Sequence, residues 1–390
     1  KLSADEASCL RNKVLQNILG NLRIFDSIEQ LQLSLQILEE CPDIVGLHFR
    51  SAKFSYEPEN SIKWLTLFSF LSKIIDFRPA AEIEIEKFPS MEYLLAPLCP
   101  ARAALTRAIL NDSALVKFYS LQLLNSLLKR AFWCIELIEK DIQNCMLGSL
   151  GMAEMNHRVE ALEESRVKTI SAAEKLIPDI QTVQSLLNLL LSEKYIQAEG
   201  VLESELLPND WRDQLISLCL DSLQYYARIF VSQEDSLGQA QFEDPVKYIS
   251  TLFGPKTLPQ TLEIPVLKFA SVFPRILVHS SETWTNFFCF VCQSMKQKAS
   301  EEKSKLALCV FSRILYSTGL FITCPNEIKI ISLCLNDSVL FPRVLKDILQ
   351  LLNSSENLIY DREKIQNGKI EFSPLLSKWL KTEISDEIYG

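Results

Sequence analysis

Between Asn111 and Ile142 the apolar residues Leu121, Leu124, Leu128, Ala131, Ile135, Ile138 and Ile142 return at alternating three- and four-residue steps. That spacing lines one face of an α-helix. Val116, Tyr119, Leu123 and Leu127 form a second apolar stripe beside the first. One stripe suits a helix resting on a single core, whereas two suit a helix wedged between neighbours. Asp112 or Ser113 can accept a backbone N–H at the entry, and no Gly or Pro interrupts the run. The pattern predicts a long buried helix around which the rest is organised.

The same periodicity predicts further helices on both sides. Ala4–Leu19 and Asp26–Glu39 are split by Gly20-Asn21, a helix stop, and Cys41-Pro42-Asp43 ends the second. A helix over Ile62–Phe77 follows the loop at Pro58. Pro79–Pro100 is irregular; its EIEIE alternation reads either as a strand or as an ordered acidic loop, the loop preferred. Ala101–Leu110 then pairs with the organising helix. After a break at Cys145–Glu154, a hairpin of Val159–Ile177 and Asp179–Leu191 turns at Pro178, placed in the first turn. Tyr195–Leu206 and Trp211–Val231 come next, then a polar loop at Ser232–Glu243. Four prolines, from Pro255 to Pro274, punctuate short helices. Glu282–Met295, Lys303–Ser317, Asn326–Asn336 and Val339–Leu352 are helical, with one more at Pro374–Lys381.

Helices of this length on short turns, with no strict period, predict an all-α chain of irregular armadillo- or HEAT-like repeats. Such repeats bury their apolar faces only by stacking, which predicts a right-handed α-solenoid with a long groove. An irregular bundle is the alternative. The expected parts are residues 1–231 and 244–390, continuous as one solenoid. Composition agrees: 48% of the 390 residues are hydrophobic and only ten are glycine. No apolar run reaches the length of a membrane span. The sequence reads as a piece of a longer chain.

Chemistry is sparse. Eleven cysteines at irregular spacing suit reduced core thiols better than a disulfide framework. Cys289 and Cys292 have the spacing of a zinc or redox half-site, but no second pair matches them and they sit on an apolar helix face. His48, His157 and His279 are dispersed. Phosphate-cradling glycine loops and a nucleophile elbow are absent from the sequence. We therefore expect no enzyme, no cofactor and no metal.

A net charge of −9 argues against wholesale phosphate binding. Against that background Arg102, Arg107, Lys117, Lys129 and Arg130 face a single acid, Asp112, between residues 101 and 130. These five are the candidate RNA or partner contact. Ordinary helix ends and pairs with Glu136 or Glu139 are the competing explanation, because no aromatic platform for stacked bases stands beside them in the sequence.

LTRAIL followed by NDSALVKFYSLQLLNSLLKRA (Leu105–Ala131) resembles the N-terminal region of the nucleolar pre-ribosomal-associated protein family. ILEECPDIV (Ile37–Val45), FRSAKFSYEP, SIKWL, LIPDIQTV (Leu176–Val183), and STGLF with NEI (Ser317–Ile328) follow the same order. The resemblance implies a nucleolar scaffold acting early in large ribosomal subunit assembly. It further implies a complex with a DEAD-box RNA helicase and other assembly factors, together with pre-ribosomal RNA and small nucleolar RNAs. No small-molecule substrate is expected. A rival reading is a transport or adaptor solenoid with cargo peptides in its groove, but tandem Trp/Asn positions that would favour it are not seen.

Overall fold

The computed structural model describes residues 13–41, 44–45, 48–49, 54–77, 102–147, 152–192, 209–231, 245–253, 258–273, 282–296, 300–317, 321, 326–336, 341–353 and 375. Every regular element among them is helical. Two compact units are formed, residues 1–241 and 242–390. The expectations for 4–12, for the acidic stretch at 79–100, for the helix at 195–206, for the loop at 232–243 and for nearly all of 374–381 fall outside the described residues.

Among the described residues of the first unit the helices follow in the order α1 (Lys13–Asn21), α2 (Ile28–Glu40), α3 (Ile62–Asp76), α4 (Arg102–Ile109), α5 (Ala114–Leu147), α6 (Met152–Leu176), α7 (Ile180–Leu191) and α8 (Asn209–Tyr226). The predicted organising helix is α5, about 50 Å long at the usual rise. It packs against α3, α4, α6 and α8. All seven residues of the first stripe are buried, as are Val116, Leu123 and Leu127 of the second. Each fully buried leucine contributes about 1.5–3 kcal/mol of hydrophobic transfer. Ile138, Ile142 and Cys145 pack with Leu162 of α6, and the helix runs past the predicted end at Ile142 to Leu147.

Local chemistry starts and stops these elements. Ser27 and Ser61 cap α2 and α3, their hydroxyl oxygens accepting the N–H groups of Gln30 at 3.4 Å and Trp64 at 3.3 Å. At the entry to α5 the Asn111 side chain accepts the Ser113 N–H at 2.9 Å, while the Ser113 carbonyl accepts the Lys117 N–H. Helix α1 ends at the expected Gly20-Asn21 stop, with Asn21 its last residue, and the Leu22 N–H closes the end on the Leu19 carbonyl. Pro178 precedes the Asp179 cap rather than entering α7. The expected pairing of α6 with α7 also differs: α6 packs on α5, and α7 chiefly on α8 and α4. Its apolar residues Ile180, Val183, Leu186, Leu187 and Leu190 fit that two-neighbour position.

A buried polar contact sets the register of α5 on α8. Asn125 donates to the Leu218 carbonyl at 3.2 Å, and Ser222 donates to the Asn125 side-chain oxygen at 2.7 Å. Satisfied groups of this kind are conditionally neutral, but leaving one unpaired costs about 1–3 kcal/mol. The sequence predicts one helix to Val231, whereas α8 ends at Tyr226 and continues as a π-helical turn over Ala227–Val231.

The second unit contains α9 (Pro245–Leu252), a 3₁₀ turn at Gln260–Leu262 leading into α10 (Glu263–Ala270), α11 (Glu282–Lys296), α12 (Glu301–Ser317), α13 (Asn326–Asn336) and α14 (Phe341–Asn353). Here α11 is central, packing on α9, α12, α13 and α14. Its core is aromatic: Trp284 and Phe288 stack with ring centroids 5.4 Å apart, and Phe288 meets Phe311 of α12 at 5.9 Å. Lys303 of α12 and Glu263 of α10 form a largely buried pair at 2.6 Å. Lys268 and Glu302 join the same two helices at 2.8 Å.

Candidate functional site

The five cations read from the sequence lie on α4 and α5, which pack together, but their charged ends reach different neighbours. Arg102 donates to the Glu174 carbonyl at 3.2 Å, in the last turn of α6, and pairs with Asp179 at the start of α7. Arg107 makes a forked contact with Glu57, at 2.8 and 3.1 Å. Arg130 crosses to α3 and donates to the Ile75 carbonyl at 3.1 Å. Burial works against its charge, with Cys134 and Asp76 opposing that effect, yet a guanidinium stays protonated. Lys117 is buried, which lowers its pKa, while Asp112 acts in the other direction. Lys129 is exposed. Glu139, expected near Lys129 or Arg130, faces Arg166 of α6 instead, at 3.8 Å.

A common physical role links several arginines. The last carbonyls of a helix have no partner within it and carry its negative dipole end. Arg102 serves α6, Arg130 serves α3, and Arg212 donates to the Leu190 carbonyl at the end of α7 at 2.8 Å. In the second unit Arg313 reaches the Phe273 carbonyl just beyond α10 at 3.1 Å. The same turn that Arg102 holds is fixed from α8, where the buried Tyr226 hydroxyl donates to the Pro178 carbonyl at 2.7 Å. Burial raises the Tyr226 pKa, so it remains a donor.

Beside Lys129 the structure places a group that the sequence does not reveal. Phe132, one turn further along α5, meets Tyr225 of α8 with ring centroids 5.8 Å apart. Arg228, on the π turn, lies over the Phe132 ring at 5.1 Å. All three are partly buried, with part of each open to solvent. Phe132 and Tyr225 are far apart in sequence, so only the α5–α8 packing brings them together.

The other candidates take structural places. Cys292 is fully buried and Cys289 partly so, on the core face of α11; burial pushes both thiols up. Cys134 is likewise pushed up, to about 12. His48 is buried against the rings of Phe49 and Phe54, which lowers its pKa; His157 is exposed, and His279 lies outside the described residues. Among the described residues no group of His, Cys, Asp and Glu side chains is arranged to hold a metal ion. An open groove of about 410 Å³ between α2 and α3 is lined by Gln32, Leu35, Gln36, Glu39, Lys73, Asp76 and Phe77. Among these residues no helix is long and apolar enough to cross a membrane.

The described residues thus form an all-helical structure in which several arginines join one helix to the carbonyl end of another. Comparison with known sequences is more specific. Residues 2–67 match the family described as Ribosome 60S biogenesis N-terminal (Npa1). The chain is 26% identical over 179 residues to human nucleolar pre-ribosomal-associated protein 1, covering 44% of this chain and 8% of that protein. The mouse protein of the same name is 28% identical over 160 residues, 39% of this chain and 7% of the relative. The family resemblance read from the residues is thereby matched independently, and the chain spans less than a tenth of the relatives' length.

Proposed function

We propose that this chain is a part of a non-catalytic helical scaffold that acts in the nucleolus during assembly of the large ribosomal subunit. The match of residues 2–67 to the ribosome 60S biogenesis family carries this reading, and the human and mouse relatives support it. The helices act as irregular armadillo- or HEAT-like repeats that present surface to partners. Those partners are assembly factors, including a DEAD-box RNA helicase, with pre-ribosomal RNA and small nucleolar RNA. Binding of this kind works through contact area and a few aromatic or arginine anchors.

Within the proposed contact of Arg102, Arg107, Lys117, Lys129 and Arg130, Lys129 and Arg107 are the exposed members. Arg102 and Arg107 keep 39% and 56% of their side chains exposed despite their internal pairs. Depleting the full-length protein from growing cells tests the reading. Mature large subunits should fall relative to small subunits, with large-subunit precursor RNA accumulating or decaying. An unchanged subunit ratio would overturn it.

A further inference from the structure

We propose that Phe132, Tyr225 and Arg228, with Lys129 one turn before Phe132, form a stacking platform for single-stranded RNA on the α5–α8 face. This rests on the reading of Lys129 as a contact residue and adds the component that the sequence lacked, an aromatic surface beside the charge. Three observations carry it. Two rings from different helices meet at 5.8 Å and each keeps part of its surface open to solvent. The Arg228 guanidinium lies over the Phe132 ring at 5.1 Å, so on that side its own plane, backed by the ring, is the stacking surface, and it supplies positive charge. The α-helix gives way to a π turn at Ala227–Val231, the segment that carries Arg228, and π turns concentrate at functional positions.

Bases offer a π-face whatever their identity, so such a platform tolerates sequence but requires unpaired strands. Glu136 lies one turn after Phe132 and Asp221 one turn before Tyr225, so acids bound the patch on both helices. Phosphate attraction therefore comes from Lys129 and Arg228, while the rings supply most of the affinity. With two cations and a slope of roughly −0.7 per neutralised phosphate, log K should fall with log salt with a slope of about −1.4. A purely electrostatic site would need a steeper dependence to reach the same affinity. A protein partner anchored on the same Tyr, Phe and Arg side chains is the competing occupant; adjacent cations favour the RNA.

The test is binding of a fluorescent oligouridine to the purified 390-residue chain, followed by anisotropy, with an RNA duplex alongside. The single strand should bind more tightly than the duplex. Tyr225→Leu should weaken it about fivefold or more, and Tyr225→Phe, which keeps the ring, should restore it. Lys129→Glu should weaken it as well, and circular-dichroism melts should show each variant folded. If Lys129→Glu weakens binding while folded Tyr225→Leu does not, the stacking platform is overturned and the basic contact stands. If neither substitution matters, both are overturned at this face. Absence of oligouridine binding by the parent chain overturns the RNA platform and leaves the protein occupant.

Discussion

Arg130 and Lys129 are neighbours in sequence with opposite duties. Arg130 reaches the Ile75 carbonyl and holds the end of α3, whereas Lys129 is exposed. Arg130→Glu replaces a charge-assisted donor with a partly buried acid facing a carbonyl, at a cost of about 2–4 kcal/mol. Lys129→Glu should shift stability by no more than about 0.5 kcal/mol. Urea denaturation of the two single variants measures this, and equal midpoints would mean that Arg130 does not hold α3. His48 offers a second residue-scale test. Burial lowers its folded pKa, so the folded state favours the neutral ring. Its contribution is fully present above the ordinary histidine value of about 6.5 and is lost as pH falls from there through the lowered folded value. The melting temperature should therefore drop less between pH 7 and pH 5 in His48→Phe than in the parent. An identical drop would assign the acid sensitivity to other groups.

At the scale of elements, α5 was legible because its information is local. Two stripes at helical spacing report burial on two sides, and α5 packs against α3, α4, α6 and α8. Leu128 is fully buried there. Leu128→Asp places an unpaired carboxylate in that core, at a cost of several kcal/mol. Loss of the cooperative melt, or aggregation on expression, is the expected outcome; a melting temperature near the parent's would deny α5 its central place. The stop at Gly20-Asn21 was legible as well, since α1 ends at Asn21. What the sequence hid at this scale was which helices pack together and where the helix type changes. The α6–α7 hairpin failed as a prediction because chain adjacency was the only guide, while α7 has apolar residues for α8 and α4. The π turn after Tyr226 leaves no periodic signature that distinguishes it from a continuing α-helix.

Across the whole molecule, helical content was readable from apolar periodicity and the scarcity of glycine, and family likeness from short collinear segments. The candidate contact was only half readable. Its cations cluster within thirty residues of sequence, but where each charge ends up depends on which helix lies opposite. Three of the arginines there and in α8 serve carbonyl ends of neighbouring helices, a use that composition cannot distinguish from a phosphate site. The rings beside Lys129 were hidden for the complementary reason, since Phe132 and Tyr225 meet only through the α5–α8 interface. In this acidic chain Arg102, Arg130, Arg212 and Arg313 each donate to a carbonyl at or near a helix end.

The proposed scaffold of large-subunit precursors is tested by the RNA and protein that purify with the tagged full-length protein under native conditions. Large-subunit precursor RNA should be enriched over small-subunit precursor RNA, together with assembly factors and an RNA helicase. Recovery of transport cargo and its carriers without precursor ribosomal RNA would contradict it.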